Sequence, residues 1–188
     1  MVQQIAAAAM GGGSSPKEAV AASRRYGNFL GMELGFSYES AAVVPDGSAL
    51  PETADAVIDY VASGRPGHRA PHVWLERGGK RISTLDLFGC GFTLLTGGDG
   101  RDWVEGAAEA GRRLGVGVET HAIGGGADYD DAGGFGKQYG VSDGGAVLVR
   151  PDGHVAWRAA DGGDAASEGV LADVLGQVLA RGGLTVNG

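Results

Sequence analysis

The chain has 188 residues, 43% of them hydrophobic, a length and apolar content that suit one domain with its own core. A formal net charge of −8 opposes a phosphate-tracking surface, because nucleic-acid affinity depends on basic groups displacing counterions, so no nucleic-acid partner is expected. The single cysteine, Cys90, excludes an internal disulfide or multi-cysteine metal cage and fits a reducing cytoplasm, and no apolar run approaches the ~18 residues of a membrane span, so no membrane association is expected.

Residues 1–14 end in Gly11-Gly12-Gly13-Ser14 and read as a flexible tail, without the basic stretch of a secretory leader. Ser15-Pro16-Lys17-Glu18 then places a capping hydroxyl, a first-turn proline and a carboxylate at a helix start, predicting a helix over about 16–33. Ala22, Tyr26, Phe29, Leu30 and Leu34 form its apolar stripe, and Gly35 can terminate it. Phe36 to Val44 reads as extended and stops at Pro45-Asp46-Gly47. Residues 48–80, rich in Pro, Gly and Arg, predict an irregular arm with a strand near 73–76.

Beyond the arm the pattern becomes regular. Phe92 to Thr96 predicts a buried strand, and Asp99 is placed to cap a helix over about 101–114 that buries Trp103, Ala107, Gly111 and Leu114. Val116 to Ile123 alternates as a strand, followed by a short helix over about 130–139. Ala146 to Arg150 and His154 to Arg158 predict two strands joined by Pro151-Asp152-Gly153, and a last helix covers about 168–180. The order β-α-β-α-β-β-α is that of an α/β thioredoxin-like fold, a central mixed sheet flanked by helices. One compact domain is expected, made of the tail over 1–14, an N-terminal helix, strand and wrapping arm over 15–82, and a thioredoxin-like core over 83–188.

Three blocks carry a resemblance: Arg69-Ala70-Pro71-His72-Val73-Trp74-Leu75; Ser83-Thr84-Leu85-Asp86-Leu87-Phe88-Gly89; and Gly145 to Arg158. In this order and spacing they resemble the C-terminal thioredoxin-like domain of FAD-dependent aromatic hydroxylases, especially those that tailor bacterial aromatic polyketides, over about residues 25–181. The resemblance implies ancestry in such a hydroxylase, and a domain that in the family is mostly structural. Flavin binding there requires a G-x-G-x-x-G turn, and this sequence has none, so no flavin or other cofactor is expected. Gly163-Asp164-Ala165-Ala166-Ser167 is similar to a flavin-touching element of the family but lacks its histidine and precedes the last helix, a coincidence. Thioredoxin chemistry also lacks its parts. Dithiol exchange needs two cysteines at a helix start, whereas the matching turn is Gly97-Gly98-Asp99-Gly100-Arg101 and Cys90 lies before the first core strand as a partly buried or incidental thiol.

The candidate catalytic residues are Arg69, His72, His121 and Tyr139, as proton-transfer groups or oxyanion donors. Each has a structural counterpart reading. His72, if buried, would pin the arm through a backbone partner. Tyr139 would pack at a helix end, and Trp74, Trp103 and Trp157 are spaced as core residues. His68 and His72 have ligand spacing only on a helix, which Pro66 and Pro71 forbid. His121 with Asp128, Asp130 and Asp131 reads as a solvated acidic loop, so no metal is expected.

These readings give an accessory or binding protein of aromatic polyketide tailoring, with an aromatic polyketide ligand, an oxygenase partner or a homodimer as candidate partners. The alternative is a cofactor-independent enzyme acting on an aromatic polyketide intermediate through its own pocket. A third is an inert remnant.

Overall fold

The computed structural model describes residue 17 and residues 28–162 and 169–181. Their described residues fall into two compact units: those up to Phe36 together with Glu52–Val61, and Ser37–Pro51 together with Ala62 onward.

In the first unit a five-residue helix, α1 (Leu30–Leu34), ends at Gly35, whose amide donates to the Gly31 carbonyl. It falls at the end of the helix expected over about 16–33, but that helix does not run through unbroken: Asn28 and Phe29 are not helical and Phe29 stands at the N-cap of α1, while residues 18–27 and the expected capping box at Ser15 lie outside the described residues. Gly31 is buried because a β-carbon there would meet the carbonyls of Ala56 and Asp59, so the turn at 55–59 requires a glycine opposite it. That turn is self-held, with the Asp55 amide donating to Asp59 Oδ2 at 2.8 Å.

In the second unit the elements are β1 (Trp74–Arg77), β2 (Lys80–Ser83), a 3-10 turn (Thr84–Leu87), β3 (Phe92–Gly97), α2 (Arg101–Leu114), β4 (Val118–Ile123), β5 (Asp130–Asp131), α3 (Phe135–Tyr139), β6 (Ala146–Val149), β7 (Val155–Ala159) and α4 (Val170–Val178). The four-stranded sheet has the order β4-β3-β6-β7, with β3 parallel to β4 and antiparallel to β6. This is the thioredoxin-like α/β arrangement. Every residue of β3 is buried, and alternation divides them between two cores. Leu94 and Leu148 face Trp103, Ala107 and Leu175 of α2 and α4, while Leu95, Val147 and Val149 face Leu75, Phe135 and Tyr139. The second core is roofed by a smaller sheet, β2-β1-β5.

Several expectations are corrected. The segment 36–44 forms a β-bridge, Ser37 with His68, but no named strand. The arm contains a full hairpin, β1–β2, whose turn places Gly78 and Gly79 both at positive φ, the two-residue geometry that matches strand twist. Asp99 makes no side-chain cap; Gly100 precedes α2, and the Asp99 amide is drawn to the Asp143 carbonyl at 2.9 Å. The helix expected over 130–139 starts only at Phe135, because Asp130 and Asp131 pair with β1. Trp103 and Trp157 are core residues, meeting edge to face at 5.3 Å, but Trp74 is 41% exposed. Cys90 is exposed, which of the two readings, partly buried or incidental, leaves the incidental thiol.

Candidate functional site

The motif Arg69-Ala70-Pro71-His72 enters the second core at its proline. The Pro71 carbonyl accepts two hydrogen bonds, from Thr84 Oγ1 at 2.8 Å and from the Tyr139 hydroxyl at 2.6 Å, and Thr84 Oγ1 in turn accepts from the Val73 amide at 2.9 Å. Tyr139 is fully buried, stacked at a tilt 4.8 Å from Phe135. It is a packing residue whose one polar atom fastens the motif to the end of α3.

His72 is exposed, so the reading in which a buried His72 pins the arm through a backbone partner does not apply; the alternation of 71–75 turns Pro71, Val73 and Leu75 inward instead. Its Nδ1 lies 2.6 Å from Ser83 Oγ, and its ring stands edge-on to Trp74 at 4.6 Å. Ser83 also caps the 3-10 turn, accepting from the Leu85 amide while Asp86 Oδ2 accepts from the Ser83 amide. The Arg81 guanidinium lies over the Trp74 ring at 4.6 Å. His72, Trp74 and Arg81 therefore cluster on the outer face of the hairpin. Arg69 is exposed, and its described contact is a backbone bridge with His154.

His121 belongs elsewhere. Its ring packs 5.7 Å from Tyr129, and its Nε2 lies 3.3 Å from Glu119 Oε1. Arg77 lies 5.2 Å from the Tyr129 ring centroid and donates to its hydroxyl at 3.3 Å. Burial holds the His121 imidazole below the ordinary histidine range, with Arg77 adding to that and Glu119 and Asp128 opposing it. Since Trp74 and Arg81 lie on one face of the hairpin and Arg77 on the other, the hairpin separates the His72 cluster from the His121 cluster. The four candidates do not converge.

Two carboxylates of the acidic loop are tied to backbone amides. Asp131 Oδ1 accepts from the amides of Gly133, Gly134 and Phe135 at 3.1, 2.7 and 2.9 Å, and Asp128 Oδ2 accepts from the Ala122 amide at 3.0 Å. Among the described residues no group of three or more His, Cys, Asp or Glu is placed to hold a metal ion. Two open grooves of about 480 and 510 Å³ flank α2, one beside Val116 and Val118 and the other beside Gly176 and Arg181, and neither is lined by a candidate residue.

Sequence reasoning missed one polar centre. Arg158 Nε donates to Asp46 Oδ2 at 2.7 Å, Nη1 to the Tyr139 carbonyl at 3.0 Å and Nη2 to Ser48 Oγ at 3.1 Å, joining the 46–48 turn, the end of α3 and β7. Burial pushes the Asp46 carboxyl up, but hydrogen bonds from Ser48 and Arg158 outweigh it and hold the group below the usual carboxylate range. Pro45-Asp46-Gly47-Ser48 signalled a turn, but its partner lies 112 residues away.

The family description "Aromatic-ring hydroxylase, C-terminal" matches residues 63–181. The chain is 45% identical over 135 residues to 2,4-dichlorophenol 6-monooxygenase of Delftia acidovorans, covering 70% of this chain and 23% of that protein. It is 45% identical over 152 residues to tetracenomycin A2 monooxygenase-dioxygenase of Streptomyces glaucescens, covering 80% and 26%. Among solved structures, the flavin-dependent monooxygenase PieE in complex with FAD and substrate superposes with a TM-score of 0.79 at 43% identity over 88% of this chain and 28% of that one. The ternary complex of aklavinone-11 hydroxylase with FAD and aklavinone gives 0.67 at 41%, over 82% and 28%. The chain thus spans about a quarter of the length of the relatives it matches. On this likeness of sequence and fold, the chain belongs to the family of aromatic-ring hydroxylase C-terminal domains.

Proposed function

We propose that this chain is an accessory or binding unit of aromatic polyketide tailoring, a thioredoxin-like domain that docks on the FAD-bearing body of a hydroxylase and carries neither a flavin site nor a dithiol. The observation that carries this reading is the division of the polar candidates. Tyr139 is spent on the Pro71 carbonyl, and His72 and His121 lie on opposite sides of a hairpin. The outer face of that hairpin presents Trp74 between His72 and Arg81, and such aromatic and arginine anchors carry much of the energy of protein interfaces.

The test mixes the purified chain with the FAD-bearing body of the Streptomyces glaucescens tetracenomycin A2 monooxygenase-dioxygenase from which its own C-terminal quarter has been removed. Binding, restored hydroxylation and a loss of both on Trp74→Ala are expected. No binding would overturn the docking reading. A product formed from a polycyclic aromatic polyketide by the chain alone, without flavin and abolished by His72→Ala, would replace it with the cofactor-independent enzyme that uses Arg69, His72, His121 or Tyr139.

A further inference from the structure

Residues 66–70 extend the main sheet beyond β7. The Gly67 amide donates to the Val155 carbonyl at 2.8 Å, the Val155 amide to His68 at 2.9 Å and the Ala70 amide to Gly153 at 2.9 Å. On the far side the Tyr38 amide donates to Gly67 at 2.9 Å, and Ser37 bridges His68. His68 therefore sits inside a backbone ladder, 4% exposed, and its buried Nε2 has no hydrogen-bond partner among the described residues.

The groups around it are named by element. From its own segment comes the Arg65 guanidinium, fixed by the Ser48 carbonyl at 2.8 Å, Ser37 Oγ at 3.3 Å and the Pro66 carbonyl at 3.3 Å. From the residue just before β7 comes His154, 6% exposed, with the Tyr38 ring 4.9 Å from it. Asp152 faces His154, its Oδ1 3.5 Å from Nδ1, and also pairs with Arg150. Burial, then Arg65, then His154 disfavour a charge on His68 and hold its imidazole below the ordinary histidine range. A proton on buried Nε2 would put a cation with no hydrogen-bond partner among the described residues within the repulsive reach of the fixed Arg65 guanidinium.

We propose that His68 is an acid-operated latch: protonation of its imidazole releases residues 66–70 from β7 and uncovers the edge of that strand. The released segment takes up its proton at the ordinary histidine value of 6.5, so the open form gains on the docked form as pH falls below that value. One linked proton limits the gain to ~tenfold per pH unit.

Amide hydrogen exchange on the whole chain tests this. Between pH 7.5 and 5.5, after correction for intrinsic rates, the Gly67, Ala70 and Val155 amides are expected to lose several-fold more protection than Leu94 and Leu95 in β3. His68→Gln, neutral at both pH values, is expected to abolish that difference. Arm protection independent of pH, a loss shared equally with β3, or a loss that survives His68→Gln would each overturn the latch. Should His68→Gln fail to fold, an NMR titration of the wild-type imidazoles decides: a His68 midpoint below 6.5 supports the latch, and a midpoint at or above it overturns it.

Discussion

Tyr139 and Arg158 show how single side chains hold this domain together. Tyr139→Phe removes one of the two hydrogen bonds that the Pro71 carbonyl accepts, so it is expected to cost about 1 kcal/mol, read as a shift in the denaturant midpoint. Because Thr84 still satisfies that carbonyl, a much larger loss would mean that Pro71 depends on Tyr139 alone. Arg158→Ala leaves Asp46 without its cation and frees the Tyr139 carbonyl, for an expected loss of about 1–2 kcal/mol by the same measurement. Gly140 belongs to the same centre. Its φ is 67°, a conformation that favours glycine, and a β-carbon there would strike the Arg158 guanidinium. At this scale the sequence was least legible: Tyr139 was readable as a packing residue at a helix end, but neither its bond to a carbonyl 68 residues away nor the Arg158 centre leaves a local trace.

Elements were more readable, and the two misses have separate causes. The strands β3, β4, β6 and β7 and the helices α2 and α4 follow from periodicity and turn chemistry, signals written within each segment. The hairpin β1–β2 had its signal too, Gly78-Gly79 between a tryptophan-bearing strand and a basic one, but the surrounding Pro and Gly masked it as an irregular arm. The start of α3 was misplaced because Asp130 and Asp131 are captured by β1, a tertiary pairing that overrides the short local helix signal. Asp131 then becomes the cap. Asp131→Ala is expected to lower stability by about 1 kcal/mol and to raise amide exchange at Gly134 and Phe135, while leaving α2 and α4 unchanged. An equal rise in all helices would show that Asp131 serves the whole fold instead.

Over the whole molecule, the balance of titratable groups predicts an asymmetric response to acid. His68 and His121 are both held below the ordinary 6.5, chiefly by burial, so the unfolded chain binds their protons more readily than the folded one. Their neutral forms leave stability intact above pH 6.5, and stability is lost as pH falls from there toward their folded-state values. Asp46 and Asp152 are held below 3.8: burial pushes each carboxyl up, and hydrogen bonds from Ser48 and Arg158 in one case, from the His154 amide and Arg150 in the other, outweigh it. Their stabilisation is present above that value and is lost as pH falls below it. The thermal midpoint is therefore expected to fall in two stages, one starting near pH 6.5 and one below pH 4. A double variant, His68→Gln with His121→Gln, should keep the second stage and lose the first; a first stage that survives would place the proton uptake on other groups.

What the sequence determined by itself was the pattern of short-range order: the strands of a central sheet, the turn between β6 and β7, the helices that flank the sheet, and the motif around Pro71. Hydrophobic period and turn residues encode these locally, so one chain suffices to read them. What only the tertiary structure decided was which side chains meet. The hairpin that parts His72 from His121, the exposure of Trp74, the Arg158 centre and the burial of His68 beneath a backbone ladder all depend on contacts between distant segments, and contacts of that range are set by packing in three dimensions rather than by any spacing along the chain.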